Sequence, residues 1–312
     1  MDSRIGAACS FILQSPPGEI NDVLNDVRNI ISDDETLEEG VLPALKEYNL
    51  AQFTTVDVPG TEHQVRASLS IISEAARLPT SENGEERWLD PRSKTSFGFN
   101  HLTLEASDPQ PFEPDADAEE FRYVSNNIFL TFDDETATRS SLEKASLTYL
   151  LAHFHDGVAS VFSKQGAQNQ YLLQIVANKY NPSNYWSGRW RSEYLVNLNE
   201  NTVEGKILVN IHYYEQGNVQ LSTNHTISIT LPSAVVTSPP SSAALKILAL
   251  IETEEGKYQT SLNDTYHEMS EKTFKGLRRA LPMTRQKLDW DKVLGYKLGA
   301  ELSSSKGAFS TS

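Results

Sequence analysis

Three short stretches carry side chains with the potential for chemistry. His153-Phe154-His155-Asp156 offers two imidazoles and a carboxylate, the donor types of a zinc site. Two histidines at i and i+2 on a helix point to different faces, and no further ligand cluster accompanies them. That pattern favours the surface end of a helix over a metal centre. His212-Tyr213-Tyr214-Glu215 sets an imidazole near a carboxylate, as an acid–base pair requires. It falls where a strand runs into a turn, and aromatic residues there favour packing. Trp186-Ser187-Gly188-Arg189-Trp190-Arg191-Ser192-Glu193 combines two indoles with two guanidiniums, the parts of a nucleobase platform or a cation–π cluster. Charge weighs against the nucleobase. Lys+Arg number 27 and Asp+Glu 42, a net of −15, whereas nucleic-acid affinity comes from neutralising phosphates. The stretch therefore reads as a tight turn into a strand whose aromatics pack on a neighbouring helix.

Signatures of enzymes are missing. There is no Walker loop, no dinucleotide fingerprint and no Gly-x-Ser-x-Gly elbow. The expectation is a protein that is not an enzyme, with no cofactor and no metal. The single cysteine, Cys9, allows neither an internal disulfide nor a thiolate zinc cluster, and reducing cytosol is the natural compartment. No segment approaches the ~20 apolar residues that span a bilayer. Ile5, Ala8, Cys9 and Ile12 fall at helical spacing, which favours an amphipathic helix over a short signal peptide. The sequons at Asn224 and Asn263 are then chance matches.

The elements that must position these residues follow from periodicity. Ile20, Val23, Leu24, Val27 and Ile31 share one helical face, and Leu37, Val41, Leu45 and Tyr48 share another. With the first helix they make a stalk of three short antiparallel helices over residues 1–52, none stable alone. Residues 53–112 read as a small β middle region, with strands at 53–58 and 63–72. Trp88-Leu89-Asp90-Pro91-Arg92 and Asp108-Pro109-Gln110-Pro111 read there as turn punctuation. Residues 113–135 hold eight acids against one base, Arg122, so 113–137 is expected to be a solvated acidic loop.

The region 138–281 opens with a helix to about residue 155. Strand-like runs follow at 158–163, 170–177, 190–197, 206–214 and 218–229. Their short joints favour a five-stranded antiparallel meander. A long helix at 241–281 carries the stripe Ile247, Ile251, Tyr258, Leu262, Tyr266, Met269 and Thr273. At 1.5 Å per residue it would span roughly 60 Å, more than five strands ~4.8 Å apart can underlie. That excess points to a second subunit continuing the sheet. Pro282 ends the helix. An arm at 282–302 follows, with Trp290, Val293, Leu294 and Leu298 on one face. The Ser/Gly-rich tail 303–312 is expected to be disordered. The fold class is α+β.

Charge reverses near the C-terminus. Residues 271–300 hold eight bases and three acids, a net of +5, so the others sum to −20. Basic groups at a helix C-terminus complement its dipole, which accounts for Lys275, Arg278 and Arg279. It does not account for Arg285, Lys287 and Lys292, which lie past Pro282 at the start of the next helix. Basic charge followed by an amphipathic helix suits docking to an acidic partner or to an anionic membrane surface, and the residues alone leave both open.

Longer motifs add a resemblance. Phe11-Ile12 with Pro16-Pro17-Gly18-Glu19, Tyr48-Asn49 with Gln52-Phe53-Thr54, Leu89-Asp90-Pro91-Arg92, and Glu105-Ala106-Ser107-Asp108-Pro109-Gln110-Pro111 resemble the alpha subunit family of F-actin capping protein. So do Gly188-Arg189-Trp190-Arg191-Ser192-Glu193, His212-Tyr213-Tyr214-Glu215, and the segment from Thr273-Phe274-Lys275 through Leu281-Pro282 to Trp290. The matches are collinear over about residues 10–300. The resemblance implies an N-terminal three-helix stalk, a small β middle region, a five-stranded antiparallel sheet covered by a long helix, and a C-terminal amphipathic helical arm. It implies a heterodimer with a beta subunit, the two sheets joining under two long antiparallel helices. It further implies calcium-independent binding to the barbed ends of actin filaments, a block on subunit exchange, and a place in the cytoplasm on the actin cytoskeleton. Matched motif to motif, Lys275, Arg279 and Arg285 would face acidic actin surfaces. The arm with Trp290, Val293, Leu294 and Leu298 would complete the contact. Anionic phosphoinositides and capping regulators are further partners on this view, and nucleic acid is not. The alternative is a membrane-surface adaptor whose basic arm binds anionic lipid. Loops 73–86 and 113–135 and the tail beyond Leu302 look longer than the family pattern, and Gly276 replaces a better helix former.

Overall fold

The computed structural model describes residues 3–31, 33–60, 69–78, 84–112, 130–131, 137–154, 156–164, 169–215 and 219–268. The chain divides into two units, Met1–Gly256 and Lys257–Ser312.

Three helices open the first unit: α1 (Ser3–Leu13), α2 (Ile20–Ile31) and α3 (Asp34–Ala51). The apolar positions spaced by three and four converge. Ile12, Leu24, Val27, Val41, Leu45 and Tyr48 are all buried in one cluster. Asp33 starts α3 by accepting the Thr36 amide at 3.0 Å, which satisfies one of the first-turn donors. Gly40 lies inside α3 because α1 comes close there: a Cβ at this position would stand 2.9 Å from Ile5 Cγ2.

The middle region holds more strand than the sequence suggests. Strands β1 (Thr54–Asp57) and β2 (Leu69–Ile72) pair antiparallel. The rest of the expected strand at 63–72 lies outside the described residues. Strands β3 (Trp88–Asp90), β4 (Thr95–Asn100) and β5 (Glu105–Pro111) form a separate three-stranded sheet. The turn reading of Trp88-Leu89-Asp90 and Asp108–Pro111 is therefore corrected. A three-residue strand is too short to show any period. The prolines of β5 are tolerated because it is an outer strand, where a missing N–H breaks no ladder. Asp108 takes a left-handed φ of 47° where the β4–β5 register shifts. Trp88, Phe97 and Phe99 from this sheet are buried with Val56, Ile72 and Phe162.

The main sheet is a meander. Strands β7 (Val158–Lys164), β8 (Gln170–Asn181), β9 (Trp186–Asn197), β10 (Thr202–Tyr213) and β11 (Val219–Thr230) pair antiparallel in sequence order. The two-residue β6 (Leu130–Thr131) pairs with β7 at the other side. The five expected strands are present, but three run longer than their apolar alternation. β8 continues to Asn181, β9 begins at Trp186, and β10 begins at Thr202. The added residues are mostly polar or glycine, so alternation does not reveal them.

Helix α4 (Ala137–His153) lies between β6 and β7 in the chain. The short α5 (Ser233–Val236) and the long α6 (Pro240–Glu268) follow it. Residues up to Gly256 of α6 belong to the first unit. Ala244, Ile247, Leu248 and Ile251 are buried at helical spacing. The stripe's Met269 and Thr273, and the rest of the helix expected to residue 281, lie outside the described residues.

One acid interrupts that apolar stripe. Glu255 is 1% exposed. Its carboxylate accepts hydrogen bonds from the Tyr149 hydroxyl of α4, the Tyr194 hydroxyl of β9, and Ser192 Oγ at 3.3 Å. The even-numbered residues of β9 therefore face α4 and α6. Burial, reinforced by the Glu255 charge, pushes both phenols up, so they stay protonated donors. Burial raises the Glu255 carboxyl despite its three donors, which favour the charged form.

That shift has a defined sign. A carboxyl whose folded pKa lies above its unfolded value, about 4.3, binds its proton more tightly in the folded state. Its contribution to stability is full below the unfolded pKa and is lost as pH rises through the folded one. Glu255→Gln removes the titration and keeps the shape. The stability advantage of the wild type over this variant should shrink as pH rises from about 4.5 towards neutral. Urea midpoints of both proteins across that range provide the check, and a pH-independent difference would contradict it.

Candidate functional site

The two arginines singled out in the sequence occupy odd-numbered positions of β9, on the face opposite α4 and α6. They reach the C-terminal end of α3, whose last carbonyls lack intrahelical partners. Arg189 Nη1 donates to Gln52 O at 3.1 Å, Nε to Asn178 Oδ1 at 2.7 Å and Nη2 to the Tyr180 hydroxyl at 2.7 Å. Arg191 is buried and donates to Ala51 O and to Asn210 Oδ1. The negative end of the α3 dipole complements both charges. Burial, then the neighbouring Arg189 charge, lowers Arg191 to about 10, which leaves it protonated at neutral pH. These guanidiniums clamp the stalk to the sheet and do not form a base-stacking platform. The Trp190 ring tilts against Phe154, just past the end of α4, at 5.9 Å.

A third tie lies one strand away. His212 Nδ1 sits 2.6 Å from Glu19 Oε1, and Ser187 Oγ donates to the same oxygen at 3.4 Å. The His212–Glu215 stretch thus fastens the start of α2 to β10. Tyr213 is half-buried, and its hydroxyl donates to Glu215. His153 Nε2 lies 3.1 Å from Glu252 Oε1, and its ring stacks near Tyr149. His155 lies outside the described residues. No group of three His, Cys, Asp or Glu that could hold a metal occurs among the described residues.

A cleft of about 450 Å³ opens between α3 and the three-stranded sheet, lined by Lys46, Glu86, Arg87, Phe99, His101 and Asp108 among others. Its charges pair with one another. Lys46 meets Glu86 at 2.9 Å, Arg77 meets Glu86 at 2.6 Å, and Arg87 meets Asp108 at 2.9 Å. Burial, with Lys46 nearby, lowers His101 to about 4, so its imidazole is neutral. Paired ions around a neutral ring make a structural joint, with no group poised to take or give a proton to a ligand.

The outer strand β11 is a different kind of surface. Among the described residues its ladder partner is β10, and it closes the sheet on that side. It runs for 12 residues in unbroken register, with no proline and no acidic, lysine or arginine side chain. Exposed outer strands are ordinarily guarded by charge, proline or a bulge. At its start Val219 is 57% exposed, while Ile227 and Ile229 near its end are buried. Among the described residues β11 carries none of these guards. The residues proposed from sequence for actin contact, Lys275, Arg279, Arg285, Trp290, Val293, Leu294 and Leu298, all lie outside the described residues.

Comparison with known proteins gives one consistent answer. Residues 8–301 match the model of the F-actin capping protein alpha subunit family. The chain is 37% identical to an F-actin-capping protein subunit alpha of Neurospora crassa, over 97% of each chain. It is 32% identical to the Caenorhabditis elegans protein of the same name, over 96% of this chain and 97% of the other. In three dimensions it resembles a homodimeric actin capping protein alpha subunit from Plasmodium berghei. The TM-score is 0.61 at 16% identity, covering 91% of this chain and 99% of that one.

The arginine clamp makes a prediction. Arg191→Met keeps the length of the side chain but strands Ala51 O and Asn210 without their donor. It should lower stability by about 1–3 kcal/mol, read as a shift in urea midpoint. Amides around the end of α3 should lose hydrogen-exchange protection before those of the sheet. Arg191→Lys should recover part of both effects.

Proposed function

The chain belongs to the F-actin capping protein alpha subunit family, and we propose that it is the alpha half of a heterodimer that occupies the barbed end of an actin filament. Such a cap blocks gain and loss of actin subunits, consumes no nucleotide and needs no calcium. The family is one of actin-binding cytoskeletal proteins, and the chain is not an enzyme. It acts, on this reading, in the cytoplasm on the actin cytoskeleton.

The observation that carries the proposal is the uncharged, unguarded strand β11. A beta subunit of similar fold would add its own outer strand there. The length of α6 supports the same arrangement. Its 29 residues span roughly 43 Å, whereas six strands cover roughly 24 Å. A wider, two-subunit sheet would match it.

The contact with actin is assigned to the C-terminal segment. Lys275, Arg279 and Arg285 would meet acidic actin residues. Long-range attraction of that kind chiefly raises the association rate. Trp290, Val293, Leu294 and Leu298 would lie in an apolar groove, and such anchors chiefly set residence time. The net charge of −15 opposes approach to another acidic protein, and a local basic segment would offset that repulsion.

Seeded actin elongation with the purified heterodimer separates these roles. Reversing the three basic charges should slow capping by about tenfold at low salt and flatten its salt dependence. Deleting residues 289–312 should speed uncapping by about tenfold or more while the heterodimer stays folded. If both variants cap normally but lose binding to anionic vesicles, the membrane-adaptor reading replaces this one.

A further inference from the structure

We propose that Glu255 is a positioning residue for capping: it fixes the rotation of α6 about its own axis, which the apolar residues of that helix leave undetermined. The inference rests on the reading of this chain as the alpha half of a cap, whose actin-contacting segment follows α6 in the chain.

The apolar pattern of α6 is degenerate. Residues 243–251 carry a single polar side chain, Lys246. Ala244, Ile247, Leu248 and Ile251 form the buried stripe, but Leu245 is 56% exposed and Leu250 is half-buried. At about 100° per residue these two leucines flank the stripe on opposite sides. Turning the helix towards either would trade one aliphatic surface for another of the same kind. A helix that is apolar nearly all round has no face that hydrophobic burial alone selects.

Glu255 removes that freedom. Its carboxyl meets Tyr149 of α4 and both Ser192 and Tyr194 of β9, so donors on two separate elements converge on one point of α6. Both phenols are buried. The Tyr194 ring lies in room that β10 leaves for it. Gly205 faces it across the ladder, and a Cβ there would stand 2.5 Å from Tyr194 Cδ1 and 2.7 Å from Ile227 Cγ1. Turning α6 would leave both phenols in the core without their acceptor, a cost with no counterpart among the aliphatic contacts. Three residues earlier, Glu252 meets His153 of α4 at 3.1 Å, but both are exposed enough for water to screen them. Glu255 is also the last buried side chain of α6 within the first unit, which ends at Gly256. A buried polar contact of this kind sets register without adding stability, since apolar groups of equal volume hold a core at least as well.

The test separates position from stability. In the heterodimer, Glu255→Met, Tyr149→Phe, Tyr194→Phe and Ser192→Ala are combined, which removes the carboxyl together with its donors. The urea midpoint should match that of the wild type or exceed it. The methyls of Ile247 and Ile251 should give single resonances in the wild type and split or broadened ones in the variant, as α6 samples more than one rotation. Capping in seeded actin elongation should set in at least about fivefold more slowly. Glu255→Gln, whose amide still bonds both phenols, should return single resonances and most of the capping rate. Should the fourfold variant fail to assemble, Glu255→Gln with Tyr149→Phe is read in the same way, since it removes the tie to α4 and strands no charge. Unchanged capping with single resonances in the variant overturns the proposal, while capping by the wild type stands. Slower capping that only tracks a fallen midpoint assigns Glu255 to stability and overturns it too. A wild-type heterodimer that leaves elongation untouched overturns the functional reading, and this proposal with it.

Discussion

Strand β9 has to satisfy polar groups on both of its faces, and the rest of the first unit is arranged around that requirement. Its odd positions hold the half-buried Arg189 and the buried Arg191, which must find acceptors away from water. Its even positions include Ser192 and Tyr194, whose hydroxyls meet Glu255. The pleat sends these groups in opposite directions, so the stalk and the helical layer are forced onto opposite sides of one sheet. An apolar β9 would pack as tightly but would tolerate either layer on either face.

The two polar knots differ in kind. On the stalk side the charges are cationic and meet carbonyls and amides at a helix end, where the dipole already favours them. On the other side an acid meets three hydroxyls, with His153 near enough to favour its charged form. A buried carboxyl is costly unless hydrogen-bonded, and here three donors serve it. Removing a single donor would leave an unsatisfied charge, which costs more than the bond itself contributes. Such contacts specify one seating of α6 and α4 against the sheet more sharply than the surrounding Ile247, Leu248 and Ile251 can.

Much of this architecture was legible in the sequence. The three stalk helices follow from Leu24, Val27, Val41 and Leu45, whose spacing matches a single buried face. The five-stranded meander follows from alternation and short polar joints. What was not legible has physical causes. Strands β3 and β5 are too short or too proline-rich to show a period, and only tertiary pairing makes them strands. The extra turns of ladder in β9 and β10 carry Gly188, Glu204 and Gly205, which no propensity assigns to a strand. Glu255 was passed over because its neighbours define an apolar stripe. Its place four residues after Ile251 was the available sign that an acid lay inside. The pairing of Arg191 with Ala51 joins residues far apart in the chain, and no local pattern announces it. The proposed actin contacts rest on the C-terminal charge reversal, the apolar face of the arm and motif resemblance.

The sheet is laid down in strict sequence order, and this bears on synthesis. A chain emerging from the ribosome pairs each new strand with the one just made, so long-range loop closure is small at every step. Until β11 emerges, the growing boundary is β10. That strand displays Glu204 and Lys206, exposed and of opposite sign, which discourage a stray strand from adding. The finished boundary, β11, carries no acidic, lysine or arginine side chain. If β11 is the strand through which the subunits join, as proposed, the sheet is guarded while incomplete and presents its joining strand only when the last one is in place.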